Sequence, residues 1–286
     1  MTLTDETKQI LQRLGIAPRK RFGQHFMVDA AALTAIAEAL SPKKDETVLE
    51  IGPGLGFLTR CFAEKGARVI AVEKDRNFTS FLQTYFRGKA VTVKEKDILG
   101  MDLKRDLGVL TPIKVAGNIP YNITSPILEW LIGERNCVSE ACLTVQWEVA
   151  MRLVASCGSK SWGALSIFVQ FYSEVELVRK IGKAHFCPPP KVDSALVKLS
   201  FGNGPRFQVQ DESQFFRVVR RAFQKRRKTI LNALADERET VFSKKNLSAT
   251  LEKVDIRSLR RPETLSIPEW AKLADSLAGQ IIKSEL

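Results

Sequence analysis

The stretch Val48-Leu49-Glu50-Ile51-Gly52-Pro53-Gly54-Leu55-Gly56 decides the fold. A short apolar run ends in a turn with glycine at every second position, and a helical pattern begins near Leu55. Glycines let a backbone come close to a ligand, and the start of a helix offers free N–H groups. Outward from this stretch, candidate strands at Thr47–Ile51, Arg68–Val72, Ala90–Val93, Ile113–Ala116 and Ala141–Gln146 alternate with helical patterns beginning near Leu55, Asn77, Ser125 and Glu148. Residues 30–40, with Asp29 as N-cap, form a further amphipathic helix that stops at Ser41-Pro42. This alternation predicts a parallel sheet with helices on both faces. After Trp162 the rhythm changes: the β-rich runs Phe171–Val178 and Ser194–Phe201 fit antiparallel strands at the sheet edge. Gly202-Asn203-Gly204-Pro205 is the clearest break, and the sequence beyond it reads helical near 211–235, 246–253 and 268–283. The expected domains are therefore 1–203 and 204–286.

A glycine turn alone does not choose between ligands. Val69-Ile70-Ala71-Val72-Glu73 places an acid twenty-one residues after Gly52, close to the ~20 expected of a ribose-binding acid in a dinucleotide enzyme. Two features favour a methyl donor over a nicotinamide. The glycines are spaced G-x-G-x-G and not G-x-G-x-x-G. A further acid, Asp97, closes the third strand, where it can accept a hydrogen bond from an adenine amine while Glu73 holds ribose hydroxyls. Glu50 lies before the turn, near the expected sulfonium or amino end. S-adenosylmethionine is the expected cofactor, with Glu50, Gly52, Gly54, Glu73 and Asp97 around it.

Asn118-Ile119-Pro120-Tyr121 follows the fourth strand, at the sheet end where open α/β folds bind ligands. An exocyclic aromatic amine is a poor nucleophile because its lone pair is delocalised. Hydrogen bonds to Asn118 Oδ1 and to the Ile119 or Pro120 carbonyl would let that nitrogen pyramidalise toward a methyl group. Pro120 stiffens the turn and has no N–H to repel the donor. Tyr121 offers a face for a flipped base. The tetrad points to methylation of the exocyclic amine of a flipped base by positioning.

The net charge of +12 points to a polyanionic partner. Arg19-Lys20-Arg21 forms one basic cluster; Arg217, Arg220, Arg221, Lys225, Arg226, Arg227 and Lys228 form a second with no acid among residues 217–228. On a helix, 217, 220, 221, 224 and 228 would share a face turned to phosphate, with Val218, Val219, Phe223 and Ile230 offering apolar packing. A hydrophobic fraction of 44% with 27% charged residues fits a soluble globular chain. No run approaches the ~18 apolar residues of a membrane span, and the N-terminus has no apolar signal region, so the expectation is a cytoplasmic protein. Five cysteines without a C-x-x-C pair, and only His25 and His185, argue against a zinc cluster or a disulfide framework and for buried, inert thiols.

Taken together these residues resemble the KsgA-type family of rRNA adenine dimethyltransferases. Lys20-Arg21-Phe22-Gly23-Gln24-His25-Phe26 resembles its K-R-F-G-Q-N-F, Glu50 to Gly54 matches E-I-G-P-G, and Asn118 to Ile123 matches N-L-P-Y-N-I with one conservative change. Phe186 to Ser194 resembles F-x-P-P-P-K-V-D-S, and Ala222 to Thr229 resembles A-F-x-x-R-R-K-T. The resemblance implies a Rossmann-like class I methyltransferase sheet, mostly parallel with an antiparallel edge, plus a small all-helical C-terminal domain that binds RNA. It implies transfer of two methyl groups to adjacent adenosines of small-subunit rRNA during ribosome biogenesis, by a monomer without metal or membrane. Donor-binding positions carry over to His25, Met27, Gly52, Glu73, Asp97 and Asn118. His25 and Met27 stand where the family has Asn and Leu, and Ala164 stands where its Y-G-R-L-S carries Arg. Phe186, on a loop with three consecutive prolines, is a second candidate to stack the target base opposite Tyr121. A large-subunit methylase of the macrolide-resistance type shares the donor and tetrad motifs, but the F-G-Q and R-R-K-T matches favour the small-subunit enzyme. A DNA adenine methyltransferase, a nicotinamide oxidoreductase, and an assembly factor with little catalysis are the other readings.

Overall fold

The computed structural model describes residues 1–19, 23–225, 227–236 and 242–284, with 279–284 described by backbone alone. The chain divides into two compact units, Met1–Ala150 with Glu174–Gly204, and Met151–Ser173 with Pro205–Leu286. The second unit thus takes in Met151–Ser173, which the expected single boundary after residue 203 had left in the first. The physical reason lies in its contacts: Trp162 Nε1 donates to Leu265 O at 3.1 Å, Gly158 N to Glu263 O at 2.9 Å, and Arg206 N to Phe171 O at 2.8 Å.

The first unit opens with helix α1 (Leu3–Leu14), started by a reciprocal Thr2–Asp5 capping box and ended by Gly15. After strand β1 (Phe26–Met27), α2 (Ala30–Leu40) begins where Asp29 Oδ1 accepts the Ala31 and Ala32 N–H groups. Then β2 (Thr47–Ile51), α3 (Phe57–Glu64), β3 (Arg68–Glu73), α4 (Arg76–Tyr85), β4 (Val91–Glu95), α5 (Leu103–Leu107) and β5 (Ile113–Asn118) alternate. They are followed by α6 (Thr124–Gly133), β6 (Val138–Gln146), the start of α7 (Trp147–Leu153), and β7 (Ser173–Ile181), β8 (Phe186–Cys187) and β9 (Ser194–Phe201). Seven strands form one sheet in the order β4-β3-β2-β5-β6-β9-β7. Pairing is parallel from β4 through β6, and β9 runs antiparallel to β6.

Side chains alternate across this sheet. Val48, Val69, Ala71, Ala116, Cys142 and Leu196 belong to one core with Leu11, Ile36, Leu40 and Phe62 of the flanking helices. The alternate positions Leu49, Val115, Leu143 and Val197 are fully buried as well. Burial on both faces is why these strands read as nearly continuous apolar runs. The chain leaves β2 toward β3 and β4, then returns to β5 on the other side of β2. That reversal opens a crevice at the carboxyl ends of β2 and β5, where open α/β sheets take ligands. The two-residue ladder between β1 and β8, Phe26↔Cys187 and Met27↔Phe186, was not foreseen.

The second unit is helical: α8 (Ala164–Tyr172), α9 (Glu212–Phe223), α10 (Ile230–Leu234), α11 (Lys244–Lys253) and α12 (Ile267–Ser284). Phe171, Phe215 and Phe216 pack with ring centroids 4.8–5.3 Å apart. The single helix expected over 211–235 is two. It stops at Phe223, and a new helix starts where Thr229 Oγ1 accepts the Asn232 N–H. The basic run therefore does not lie along one helix face. Arg220 is exposed on α9, while Lys225, Arg227 and Lys228 are exposed in the intervening turn. Arg221 does not face solvent phosphate at all. Its Nε donates to Leu234 O at 2.9 Å, Nη2 pairs with Asp236 at 3.2 Å, and the guanidinium lies 4.1 Å from the Phe242 ring. Five such donors on a flat fork suit a cation that ties α9 to the end of α10.

Among the described residues no helix is long and apolar enough to cross a membrane, and no cluster of three or more His, Cys, Asp or Glu could hold a metal ion. All five thiols are free; Cys142 is buried and burial pushes it up to about 12, whereas Cys157 is exposed, contrary to the expectation that all would be buried.

Two stability tests follow from these contacts. Gly56 begins α3 with φ +79°, and a methyl group there would lie 2.7 Å from Leu82 Cδ2 and 2.8 Å from Phe86 Cε2. Gly56→Ala should cost about 2–3 kcal/mol through backbone strain and overpacking, read as a lowered thermal midpoint. Arg221→Ala should cost about 2 kcal/mol, because it strands a carbonyl and a carboxylate. Arg220→Ala should stay within about 0.5 kcal/mol of the parent protein in the same denaturation experiment.

Candidate active site

A cavity of about 300 Å³ occupies the crevice. Its floor is the glycine turn. Gly52 has φ +64° and a Cβ there would meet nothing within 4 Å, so the position faces open space and offers a bare backbone. Gly54, at φ +55°, is held differently: a Cβ would press to 3.0 Å on the Phe26 ring, which fixes the turn against β1.

Three acids at three strand ends line this cavity, Glu50, Glu73 and Asp97. Glu50 is 2% exposed, and Thr59 Oγ1 donates to its Oε2 at 2.6 Å. Burial, opposed in part by Thr59 and reinforced by the nearby Glu73 charge, pushes its carboxyl up to about 8. Glu73 accepts the Gly54 N–H at 3.1 Å and the Asp75 N–H at 2.8 Å. Its burial still wins over these bonds and holds its pKa above the ordinary carboxylate value. Asp97 is more open. Partial burial works against its charge, but Lys74 Nζ at 2.7 Å and the Leu99 N–H at 3.2 Å outweigh it and keep Asp97 below the usual value.

Residues Gly23 to Met27 close over the cavity and line it. Gly23, at φ +59°, lies so near the tetrad that a Cβ would sit 3.2 Å from both Pro120 Cβ and Asn122 Oδ1. His25 makes two different links. Its carbonyl accepts Asn118 Nδ2 at 2.7 Å, and its Nδ1 lies 2.7 Å from the Pro188 carbonyl, so that nitrogen carries the proton. Met27 is buried in β1. Gln24 and Asp75 were missed by sequence reasoning, although the F-G-Q match contained the first. Gln24 Nε2 donates to Asp75 Oδ2 at 3.3 Å, and Arg19 pairs with the same oxygen at 3.5 Å. Arg19 is thus committed to the cavity rim, while Lys20, Arg21 and Arg226 lie outside the described residues.

The tetrad sits on the opposite wall, where Asn118 and Pro120 line the cavity. With Nδ2 held by His25 O, the Asn118 Oδ1 is the end of the amide left to accept a hydrogen bond. The Tyr121 hydroxyl lies 2.5 Å from Ser194 Oγ, and its ring stacks on that of His25 with centroids 5.9 Å apart. Burial raises the Tyr121 phenol above its ordinary value. Phe186 departs from expectation. It is 3% exposed, packs in the apolar core, and does not line the cavity. Its pairing opposite Met27 in the β1–β8 ladder commits the ring to that core.

A buried, glycine-floored cavity with three strand-end acids and an oriented amide can hold a cationic, adenosine-like ligand and present an acceptor to an aromatic amine. The chain's relatives agree with that chemistry. The family model for ribosomal RNA adenine dimethylase matches residues 16–275. Over 280 residues the chain is 41% identical to Ribosomal RNA small subunit methyltransferase A of Moorella thermoacetica, covering 95% of this chain and 96% of that one. Among solved structures it is similar to a dimethyladenosine transferase from Plasmodium falciparum, at 26% identity and a TM-score of 0.73, covering 92% of this chain and 99% of the other. It is also similar to the 23S rRNA methyltransferase ErmE, at 27% identity and a TM-score of 0.69, covering 88% and 99%. The chain belongs to the ribosomal RNA adenine dimethylase family.

Proposed function

We propose that this protein uses S-adenosylmethionine to place two methyl groups on N6 of adjacent adenosines in small-subunit (16S) ribosomal RNA during ribosome biogenesis, as a cytoplasmic monomer. The observation that carries the reading is the Asn118 amide, whose Nδ2 is pinned to the His25 carbonyl at 2.7 Å beside the cavity. That bond selects the amide orientation in which Oδ1 accepts from a donor such as an adenine NH₂. The small-subunit substrate is supported by the name of the 41% identical relative.

The cavity fits the donor on its own features. Gly52 leaves open space where a side chain would intrude, and Glu50, Glu73 and Asp97 supply carboxyl groups for a cationic nucleoside. When bound, the donor supplies an electrophilic methyl group on a sulfonium. Glu73 would hold the ribose hydroxyls, Asp97 the adenine amine, and Glu50 with the His25–Met27 segment the methionine end. Asn118 Oδ1 and a tetrad carbonyl accept hydrogen bonds from the target amine and localise its lone pair. Tyr121, anchored on Ser194, is the stacking surface for the base. No side chain has to act as a strong base: the new N–C bond would form as the sulfonium S–C bond breaks to leave a neutral thioether, and the amine proton would then pass to solvent. Positioning carries the rate. The unit of Met1–Ala150 with Glu174–Gly204 acts as the methyltransferase domain and the unit of Met151–Ser173 with Pro205–Leu286 as the RNA-binding domain, with Arg220, Lys225, Arg227 and Lys228 on phosphates.

Radiolabelled donor, offered with unmodified small subunits, unmodified large-subunit RNA or duplex DNA, tests this. Label should appear as dimethyladenosine in the small subunit alone, and Asn118→Ala should lower the rate at least about 100-fold, as expected for loss of an oriented contact. Label in large-subunit RNA would reassign the protein to a methylase of that substrate. A second test uses pH. In the free protein Glu50 is largely protonated at neutral pH, and a cationic donor favours its charged form. Binding then expels a proton, so affinity should rise about tenfold between pH 6.5 and 8 and level off above. Glu50→Gln should remove that rise in calorimetric titrations, and the difference between the two proteins cancels any titration of the donor itself.

A further inference from the structure

A second cavity, of about 500 Å³, lies where β6 ends and α7 begins, outside the donor site. Gln146, Trp147 and the exposed Glu148 form one side; Lys183, Lys191, Val192 and Asp193 form the other. Its position relative to the tetrad is fixed by the sheet. Gln146 pairs in register with Ser194, and Ser194 Oγ is the atom 2.5 Å from the Tyr121 hydroxyl. The cavity therefore shares a strand end with the anchor of the ring that flanks the target site.

Its lining sets an aromatic ring beside two lysines and two acids. Trp147 is half-buried, and its backbone N–H donates to Asp193 O at 2.9 Å, which ties the start of α7 to the opposite wall. Lys180 Nζ lies 4.9 Å from the indole centroid. Asp193 fixes the loop and one cation beside the ring: Oδ1 accepts the backbone N–H of Lys183 at 3.1 Å and Oδ2 pairs with Lys180 at 3.1 Å. Lys183 and Lys191 have exposed side chains at the rim. An aromatic wall edged with lysines combines the two devices by which proteins hold single-stranded nucleic acid, base stacking and phosphate neutralisation. A core tryptophan would be buried among apolar neighbours, as Trp162 and Trp270 are; Trp147 instead lines a charged groove.

We infer that this groove binds the nucleotide next to the target adenosine, its base stacked on Trp147 and its phosphate held by Lys183 and Lys191. The inference rests on the RNA-methylating reading and assigns that site a second foothold. A neighbour gripped here, about one strand end from Tyr121, would splay the RNA so that the target base turns into the tetrad alone.

Fluorescein-labelled oligoadenylate titrated into the full-length protein, followed by anisotropy, tests the groove directly. Steady-state methylation of small subunits runs in parallel. Trp147→Ala should weaken oligoadenylate binding about tenfold and raise KM for the subunit by a similar factor, whereas Trp147→Phe should recover most of both. The double variant Lys183→Ala/Lys191→Ala changes only exposed side chains and keeps the test decisive should Trp147→Ala fail to fold. It should weaken binding and lower the slope of log affinity against log salt by about 1. Unchanged oligoadenylate affinity in both the Trp147→Ala and the double-lysine proteins, or an unchanged slope in the latter, overturns the inference. Absence of methylation by the parent protein would overturn the enzymatic reading instead, and Trp147-dependent oligoadenylate binding would then still support the groove as a nucleotide site.

Discussion

The carboxylate of Glu73 joins the parts on which everything else in the first unit rests. It closes β3, yet it accepts the N–H of Gly54 from the turn after β2 and the N–H of Asp75 from the start of α4. One buried acid thus holds two strand ends and a helix start at fixed separation. Asp75, in turn, caps α4 and receives Gln24 and Arg19 from the segment that covers the cavity. Without that carboxylate the glycine turn would lose the partner that sets its depth, and the cover would lose its mooring. A buried carboxylate left without these N–H donors would be costly, so the same bonds that build the site also make the charge tolerable.

On the far wall the logic repeats with neutral groups. Asn118 Nδ2 and the His25 carbonyl bind the tetrad to the same covering segment, and His25 Nδ1 passes the connection on to the Pro188 carbonyl. The replacement of the family's Asn by His at position 25 is accommodated because the link to Asn118 uses backbone oxygen, which any residue supplies. The imidazole adds what an amide would not, a flat ring parallel to Tyr121.

Much of this was legible in the sequence, for identifiable reasons. Strands buried on both faces are apolar at every position, so β2, β3 and β5 stood out, and the acids that end them stood out against the apolar runs. Helix α8 was missed because Ala164–Tyr172 is apolar almost throughout, with no 3.6-residue alternation to separate it from a strand. The β1–β8 ladder was missed because two residues carry no periodicity. Phe186 was misplaced because its motif fixes a neighbourhood and not a side-chain direction; the register opposite Met27 decides that. The basic run was read as one helical face although Thr229, a good N-cap, marked a new start within it. Arg221 shows the limit of counting charge. It contributes fully to the net +12 and yet spends its donors inside the protein, on Leu234 and Asp236.

The β1–β8 ladder also sets the order in which the molecule can be completed. Phe26 meets Cys187 across about 160 residues of chain, and β6 waits in the same way for β9. On a ribosome, where segments emerge from the N-terminus onward, the glycine turn and its acids can pack as soon as β5 is available. The segment bearing His25, among the first to be made, has no partner strand until most of the chain has been synthesised. Such distant pairings are late events in folding. The links of that segment to Asp75 and Asn118 can therefore form once β5 has emerged, whereas its strand pairing waits until residue 187 has been made.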